Sequence, residues 1–165
     1  MTSGACMMIR AELFRTLGGF DEDFFAHMEE IDLCWRMKRM GLKTFYVGSS
    51  TVYHVGGGTL AASNPRKTYY NFRNGLDMLI KNEPGGKLFW MVPFRILLDW
   101  LAALNFLLKT PTHALAVFKA HLTVLARFGR TLSKRGKIKS GYAISEIYPH
   151  SMIWRYFIRG KKTYQ

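Results

Sequence analysis

Cysteine is scarce in this chain of 165 residues: Cys6 and Cys34 stand alone, and neither belongs to a Cys-x-x-Cys pair. A disulfide scaffold is thereby excluded, and a reducing cytosolic setting fits. Acidic residues are scarce in one half only. Residues 88–165 carry 2 Asp/Glu against 13 Lys/Arg, whereas residues 1–87 carry 9 against 11, so the formal net charge of +13 lies almost entirely toward the C-terminus. Such a field attracts nucleic acid or an anionic membrane surface. No zinc-finger spacing, aromatic RNA-reading motif or patterned basic recognition helix accompanies it, so nucleic acid is set aside as a partner. The start, Met1-Thr2-Ser3-Gly4-Ala5-Cys6, lacks the basic residues and apolar run of a secretion signal. It enters a strand-like run at once, which predicts that the chain is the tail of something longer. The triple glycine at 56–58 is too short for a Walker-type phosphate loop, and no Lys-Ser/Thr follows it.

What is present is a hydrophobic share of 48%, enough for one buried core and against wholesale disorder. Ala5-Cys6-Met7-Met8-Ile9 reads as a buried strand, and Arg10 to Leu17 as two helical turns closed by Gly18-Gly19. Phe20-Asp21-Glu22-Asp23-Phe24-Phe25 is a compact aromatic and acidic turn that either anchors a loop, with its acids facing water, or faces a ligand. From Glu29 to Met40 an amphipathic helix is predicted, with Leu33, Met37 and Met40 at helical spacing, Gly41 as its stop, and Asp32 placed to bridge Arg36 on the helix surface. Carboxylates in its first turn are favoured by the helix dipole and held ionised, and an ionised carboxylate can serve as a base. Lys43 to Val47 and Ser50 to His54 read as short strands. Pro65 opens a further helix in which Tyr69, Phe72 and Leu76 recur at core spacing. Arg73 within it is either a surface residue or one that steadies phosphate or a neighbouring carboxylate.

Taken in order, Ser3-Gly4-Ala5, Met8-Ile9-Arg10, Gly18-Gly19-Phe20-Asp21-Glu22, Phe24-Phe25, Glu29-Glu30-Ile31-Asp32-Leu33-Cys34-Trp35-Arg36, His54 with its glycines, and Tyr69-Tyr70 with Arg73-Asn74 resemble the C-terminal part of a family-2 inverting glycosyltransferase of the bacterial rhamnosyltransferase-like type. The resemblance covers about residues 3–80. It implies an α/β fold, the acceptor-side half of a GT-A (Rossmann-like) catalytic domain over residues 1–87, followed by a mostly helical tail over residues 88–165. It places the nucleotide-sugar pocket and its metal-binding aspartates before residue 1. The family's acidic pair falls on Glu29-Glu30, with Glu30 as catalytic base where aspartate is common. Asp21, Glu22 and Glu29 are the implied acceptor contacts, His54 a ligand for Mg2+ or Mn2+, and Asp32 and Arg73 supporting residues, with Glu29 and Asp32 open as rival bases. The implied reaction is inverting transfer from a nucleotide-sugar donor to a saccharide or lipid-linked acceptor in cell-surface polysaccharide synthesis. A noncatalytic membrane-surface module built on the same scaffold is the competing reading.

The second half is basic and apolar. Leu88 to Leu108 is interrupted only by Arg95 and Asp99, which are four apart and able to pair, and its length could span a bilayer. Thr112 to Phe128 is a second helix-like stretch, with Leu115, Phe118, Leu122 and Leu125 recurring at three or four residues. The run from Arg130 to Lys139 holds five basic residues and no acid, and Trp154, Tyr156 and Phe157 add interfacial aromatics. Together these predict a helical hairpin resting on the anionic cytoplasmic face of the bacterial inner membrane.

Overall fold

The computed structural model describes residues 4–54, 60–61, 63–83, 85–137, 155–156 and 159–160. Among the described residues five α-helices follow one another: α1 (Ala11–Thr16), α2 (Glu29–Arg39), α3 (Pro65–Asn82), α4 (Gly85–Lys109) and α5 (Pro111–Lys137), with a 3-10 turn at Glu22–Phe24 between the first two. Local chemistry explains their ends. The Asn64 side chain accepts from the Arg66 amide at 2.9 Å, and Pro65, which has no N–H to leave unsatisfied, takes the first helical position of α3. Gly18 and Gly19 carry the chain out of α1 at φ +77° and +68°, values that an L side chain adopts only with strain.

α3 is the central element. It packs along α5, and Leu76, Ile80 and Val124 form a buried cluster covered by Val92 and Ile96 of α4. Fully burying a side chain such as Leu76 or Ile80 contributes roughly 1.5–3 kcal/mol. α5 turns Ala116, Val117, Ala120 and Val124 inward, a three-and-four spacing that puts them on one face. His113 pins its first turn, donating from Nε2 to the Ser63 carbonyl at 3.2 Å and accepting at Nδ1 from the Thr68 hydroxyl at 2.7 Å. Between α4 and α5, buried Asp99 receives Arg95 at 2.6 Å and His121 at 3.1 Å.

The expected α/β architecture is overturned. Among the described residues there is no strand and no sheet, so no Rossmann-like GT-A layer is present there. The three stretches read as strands, 5–9, 43–47 and 50–54, are not paired with one another, and Phe45, Tyr46 and Tyr53 are 78%, 91% and 96% exposed. Aromatic and β-branched composition favours a strand only where a neighbour pairs its backbone and packs its side chains. The surface bridge expected of Asp32 and Arg36 is instead a buried one. In α5 the stripe Leu115, Phe118, Leu122 and Leu125 faces outward rather than into the core.

α4 is a single helix, 25 residues long, with Pro93 inside it. Proline offers no N–H to the carbonyl one turn back, at Phe89. By length and composition this helix can cross a membrane: its mean hydropathy is 1.6, and only 6% of the apolar window is buried. Trp90, Phe94, Leu97, Leu101, Leu104 and Leu108 recur along it at alternating three- and four-residue steps, all exposed, and Trp100 meets Phe118 of α5 edge-on at 6.1 Å. Trp154, Phe157, Ile138, Lys139 and the glycines at 56–58 lie outside the described residues.

Candidate functional site

The acidic pair opens α2 as the sequence predicts, with Glu29, Glu30 and Asp32 in its first turn. The approach to that turn is unusual. Phe25, His27 and Met28 all take positive φ, at 59°, 69° and 74°, and Met28 caps the helix without a side-chain hydrogen bond. Such conformations cost a non-glycine residue about 1–3 kcal/mol each and persist only where the surroundings over-determine them.

The surroundings here are two side chains of α3. Asn74, fully buried, donates from Nδ2 to the carbonyls of Phe24, Ala26 and His27 at 2.9, 2.8 and 2.7 Å, its two hydrogens shared among three acceptors. Arg73 donates from Nη2 to the carbonyls of Asp23 and Phe24 at 2.6 and 3.2 Å, and from Nε to Asn74 Oδ1 at 2.8 Å. Its guanidinium lies over the rings of Tyr69 and Tyr70 at 5.3 and 4.9 Å. Arg73 is therefore buried and turned toward backbone, neither a surface residue nor one facing phosphate.

Asp32 is fully buried at the centre of an ionic cluster. Its Oδ2 accepts from Arg36 Nε at 2.8 Å and Lys81 Nζ at 2.9 Å, and its Oδ1 from Asn82 Nδ2 at 2.8 Å. Arg36 continues to the carbonyls of Leu17 and Gly19 at 2.5 and 2.8 Å, which ties α2 to the glycine turn after α1. Lys81 reaches on to Asp21 at 2.7 Å. A carboxylate with no exposure to water and three donors on its oxygens is shut away from a substrate, so Asp32 organises the site and is a poor rival for the base.

Asp21 and Asp23 are engaged from the other side by α5. Lys134 bridges both, and Arg127 and Arg130 meet Asp23 at 2.6 and 2.8 Å. Burial opposes ionisation of Asp21, but the ammonium groups of Lys134 and Lys81 outweigh it and hold its carboxyl well below the usual carboxylate range. Glu22 is exposed. It lines, with Gly19, Asp21, Arg36, Lys81 and Lys134, an open cavity of about 590 Å³.

Glu30 is half-buried, with its side chain close to Gly4: a Cβ built there would lie 3.6 Å from the Glu30 carboxyl carbon. Beside it, Glu29 Oε2 and His27 Nε2 are buried without a hydrogen-bond partner among the described residues. Buried polar atoms are ordinarily paired, so two orphans at residues 27 and 29, just before Glu30 in the chain, mark this helix start as the place where a polar ligand would be satisfied. His27 was missed by sequence reading, and its position in the acidic turn next to Glu29 was the available signal.

The residues proposed for metal do not come together. His54 is exposed on an irregular segment. The Asp-x-Asp spacing does occur in the chain, as Asp21-Glu22-Asp23, but both aspartates are committed to lysine and arginine. Among the described residues, no three His, Cys, Asp or Glu side chains are grouped to hold an ion. The described residues therefore do not by themselves group a ligand set for a divalent cation.

No family model matches the chain, and no solved structure matches it. Over 52 residues, 32% of its length, it is 42% identical to the N-acetylglucosaminyl-diphospho-decaprenol L-rhamnosyltransferase of two strains of Mycobacterium tuberculosis. A glycosyltransferase-like segment is present. Over a stretch of the same length the chain is 35% identical to the rhamnosyltransferase WbbL of Escherichia coli K12. The matched segment spans 17% of the mycobacterial proteins and 20% of the Escherichia coli protein.

Proposed function

We propose that this chain supplies the acceptor side of an inverting glycosyl transfer in cell-surface polysaccharide synthesis, with a nucleotide-sugar as donor and a lipid-linked saccharide as acceptor. The observation that carries the reading is the half-buried Glu30 at a strained, side-chain-braced helix start, in a chain with a segment similar to rhamnosyltransferases. The mycobacterial relatives, by their name, transfer an L-rhamnosyl group to N-acetylglucosaminyl-diphospho-decaprenol, and that supports a lipid-linked acceptor here. In this reading Glu30 takes the proton of an acceptor hydroxyl as its oxygen bonds to the anomeric carbon. The bond to the nucleotide diphosphate breaks on the opposite face, and the configuration inverts. Glu29 and His27 hold acceptor hydroxyls through their unpaired atoms.

The exposed apolar faces of α4 and α5 support a second part of the proposal, attachment to the anionic cytoplasmic leaflet of the bacterial inner membrane. Asp99 and His121 are turned inward, and the outward stripes carry no charge from Trp90 to Leu108 and none at Leu115, Phe118, Leu122 and Leu125. Burial of that stripe in the acyl boundary fits a monotopic hairpin.

The test is Glu30→Gln in the complete natural gene product, assayed for sugar transfer to a lipid-linked acceptor. A loss of roughly 100-fold or more in turnover is expected of a missing general base. Near-wild-type turnover removes Glu30 from that role, and an inactive wild type favours the noncatalytic surface module.

A further inference from the structure

We infer that Arg73 and Asn74 are positioning residues, a carbonyl cradle that sets the aim of Glu30 and its neighbours; the inference rests on the glycosyl-transfer reading above. Four carbonyls in five residues, those of Asp23, Phe24, Ala26 and His27, converge on these two side chains. A loop whose carbonyls all turn to one side has its N–H groups and side chains turned elsewhere. Here that orientation forces Phe25, His27 and Met28 into positive φ and starts α2 with Glu29 and Glu30 at its head.

The cradle is braced rather than adjustable. Arg73 is locked by Asn74 Oδ1 and the two tyrosine rings, and Phe25 packs on Tyr70 at 5.3 Å, closing the far side of the loop. The core face of α3 lies a turn further on, at Leu76 and Ile80. One helix thus carries both the core contact and the groups that set the loop. Donors alone satisfy carbonyls, which is why an amide nitrogen and a guanidinium stand here and why hydrophobic residues of equal volume would not serve.

A merely structural bond would cost stability and leave the chemistry intact. The two roles separate when Asn74→Ala is compared with Thr131→Val, which removes the buried hydroxyl donated to Asp77 at 2.9 Å and leaves the loop untouched. In the complete gene product, below the unfolding range of both variants, Asn74→Ala is expected to lower kcat roughly 100-fold, the scale of a catalytic group misplaced by about 1 Å. KM for the nucleotide-sugar should stay within about twofold, since donor binding is not what the loop contributes. Amide exchange at residues 25–30 should accelerate in Asn74→Ala and not in Thr131→Val. Where Asn74→Ala fails to fold, Arg73→Lys carries the test: it keeps the charge but loses the forked geometry, and a kcat loss of about tenfold is expected. A folded variant of either kind with wild-type kcat, or a Thr131→Val loss equal to that of Asn74→Ala, overturns the cradle. An inactive wild type overturns the glycosyl-transfer reading instead, so the two failures are distinguishable.

Discussion

Replacing Asp32 by asparagine changes one charge and almost no volume, at a position with no exposure to water. Three donors converge on its two oxygens, from Arg36, Lys81 and Asn82, which are 8%, 5% and 0% exposed. Removing one member of a buried ion pair costs about 3–5 kcal/mol, because the other charge is left in a medium that cannot solvate it. The lower end applies here: Arg36 keeps the carbonyls of Leu17 and Gly19, and Lys81 keeps Asp21. A loss of about 3 kcal/mol corresponds to a fall in Tm of roughly 6–12 °C for a chain of this size. Urea unfolding followed by circular dichroism reads it as a lower midpoint with an unchanged slope. The internal control is Lys87→Ala, which deletes an exposed lysine 4.0 Å from Glu83 and should cost less than about 0.5 kcal/mol. An Asp32→Asn loss below about 1 kcal/mol, or one equal to the control, refutes the view that this cluster ties α2 to α3.

Two further outcomes follow from charge and exposure. The carboxyl of Asp21 is depressed in the folded chain, so its stabilisation is full above the ordinary carboxylate value near 3.8 and is lost as pH falls through the lower folded one. Asp21→Asn should therefore flatten the decline of stability below about pH 4, and an unchanged acid limb in urea titrations would contradict the pairing with Lys81 and Lys134. For attachment, membranes carrying the complete protein should release it to detergent and retain it in high salt. Leu101→Glu with Leu104→Glu, at 54% and 58% exposure, should move it to the soluble fraction without lowering Tm; full solubility of the wild type would end the membrane proposal.

Helices were legible where the chain announces them locally. Asn64-Pro65 begins α3, Gly41 follows α2, and the acidic first turn of α2 stands where it was expected. The strands were not, because residues 43–47 and 50–54 have strand-like composition but no strand beside them, and pairing is a property of two segments rather than of one. The start of α5 was legible to within a residue, whereas its exposed stripe mimics a core face: the same spacing suits either environment, and what decides between them is the neighbouring α3. The place of the acidic pair Glu29-Glu30 at the head of α2 could be read from the sequence. The cradle could not, since Asn74 and His27 are 47 residues apart and a neutral amide in a helix gives no hint of the carbonyls it will meet. Asp32 looked like a surface partner for Arg36, because nothing local reveals that Lys81 and Asn82 will close over it.

The ionic contacts of α5 change what the basic excess of residues 88–165, 13 Lys/Arg against 2 Asp/Glu, means to anything outside the molecule. Arg127, Arg130 and Lys134 are already neutralising Asp21 and Asp23. The effective valence felt by an approaching anionic surface is correspondingly smaller than the basic C-terminal composition suggests. Added electrolyte then acts twice, screening the outward attraction over a distance of about 10 Å at 0.1 M and competing with the inward pairs, of which the largely exposed Arg130 is the most accessible. An adsorption curve that steepens with salt beyond simple screening would report the loosening of α5 from the acidic turn.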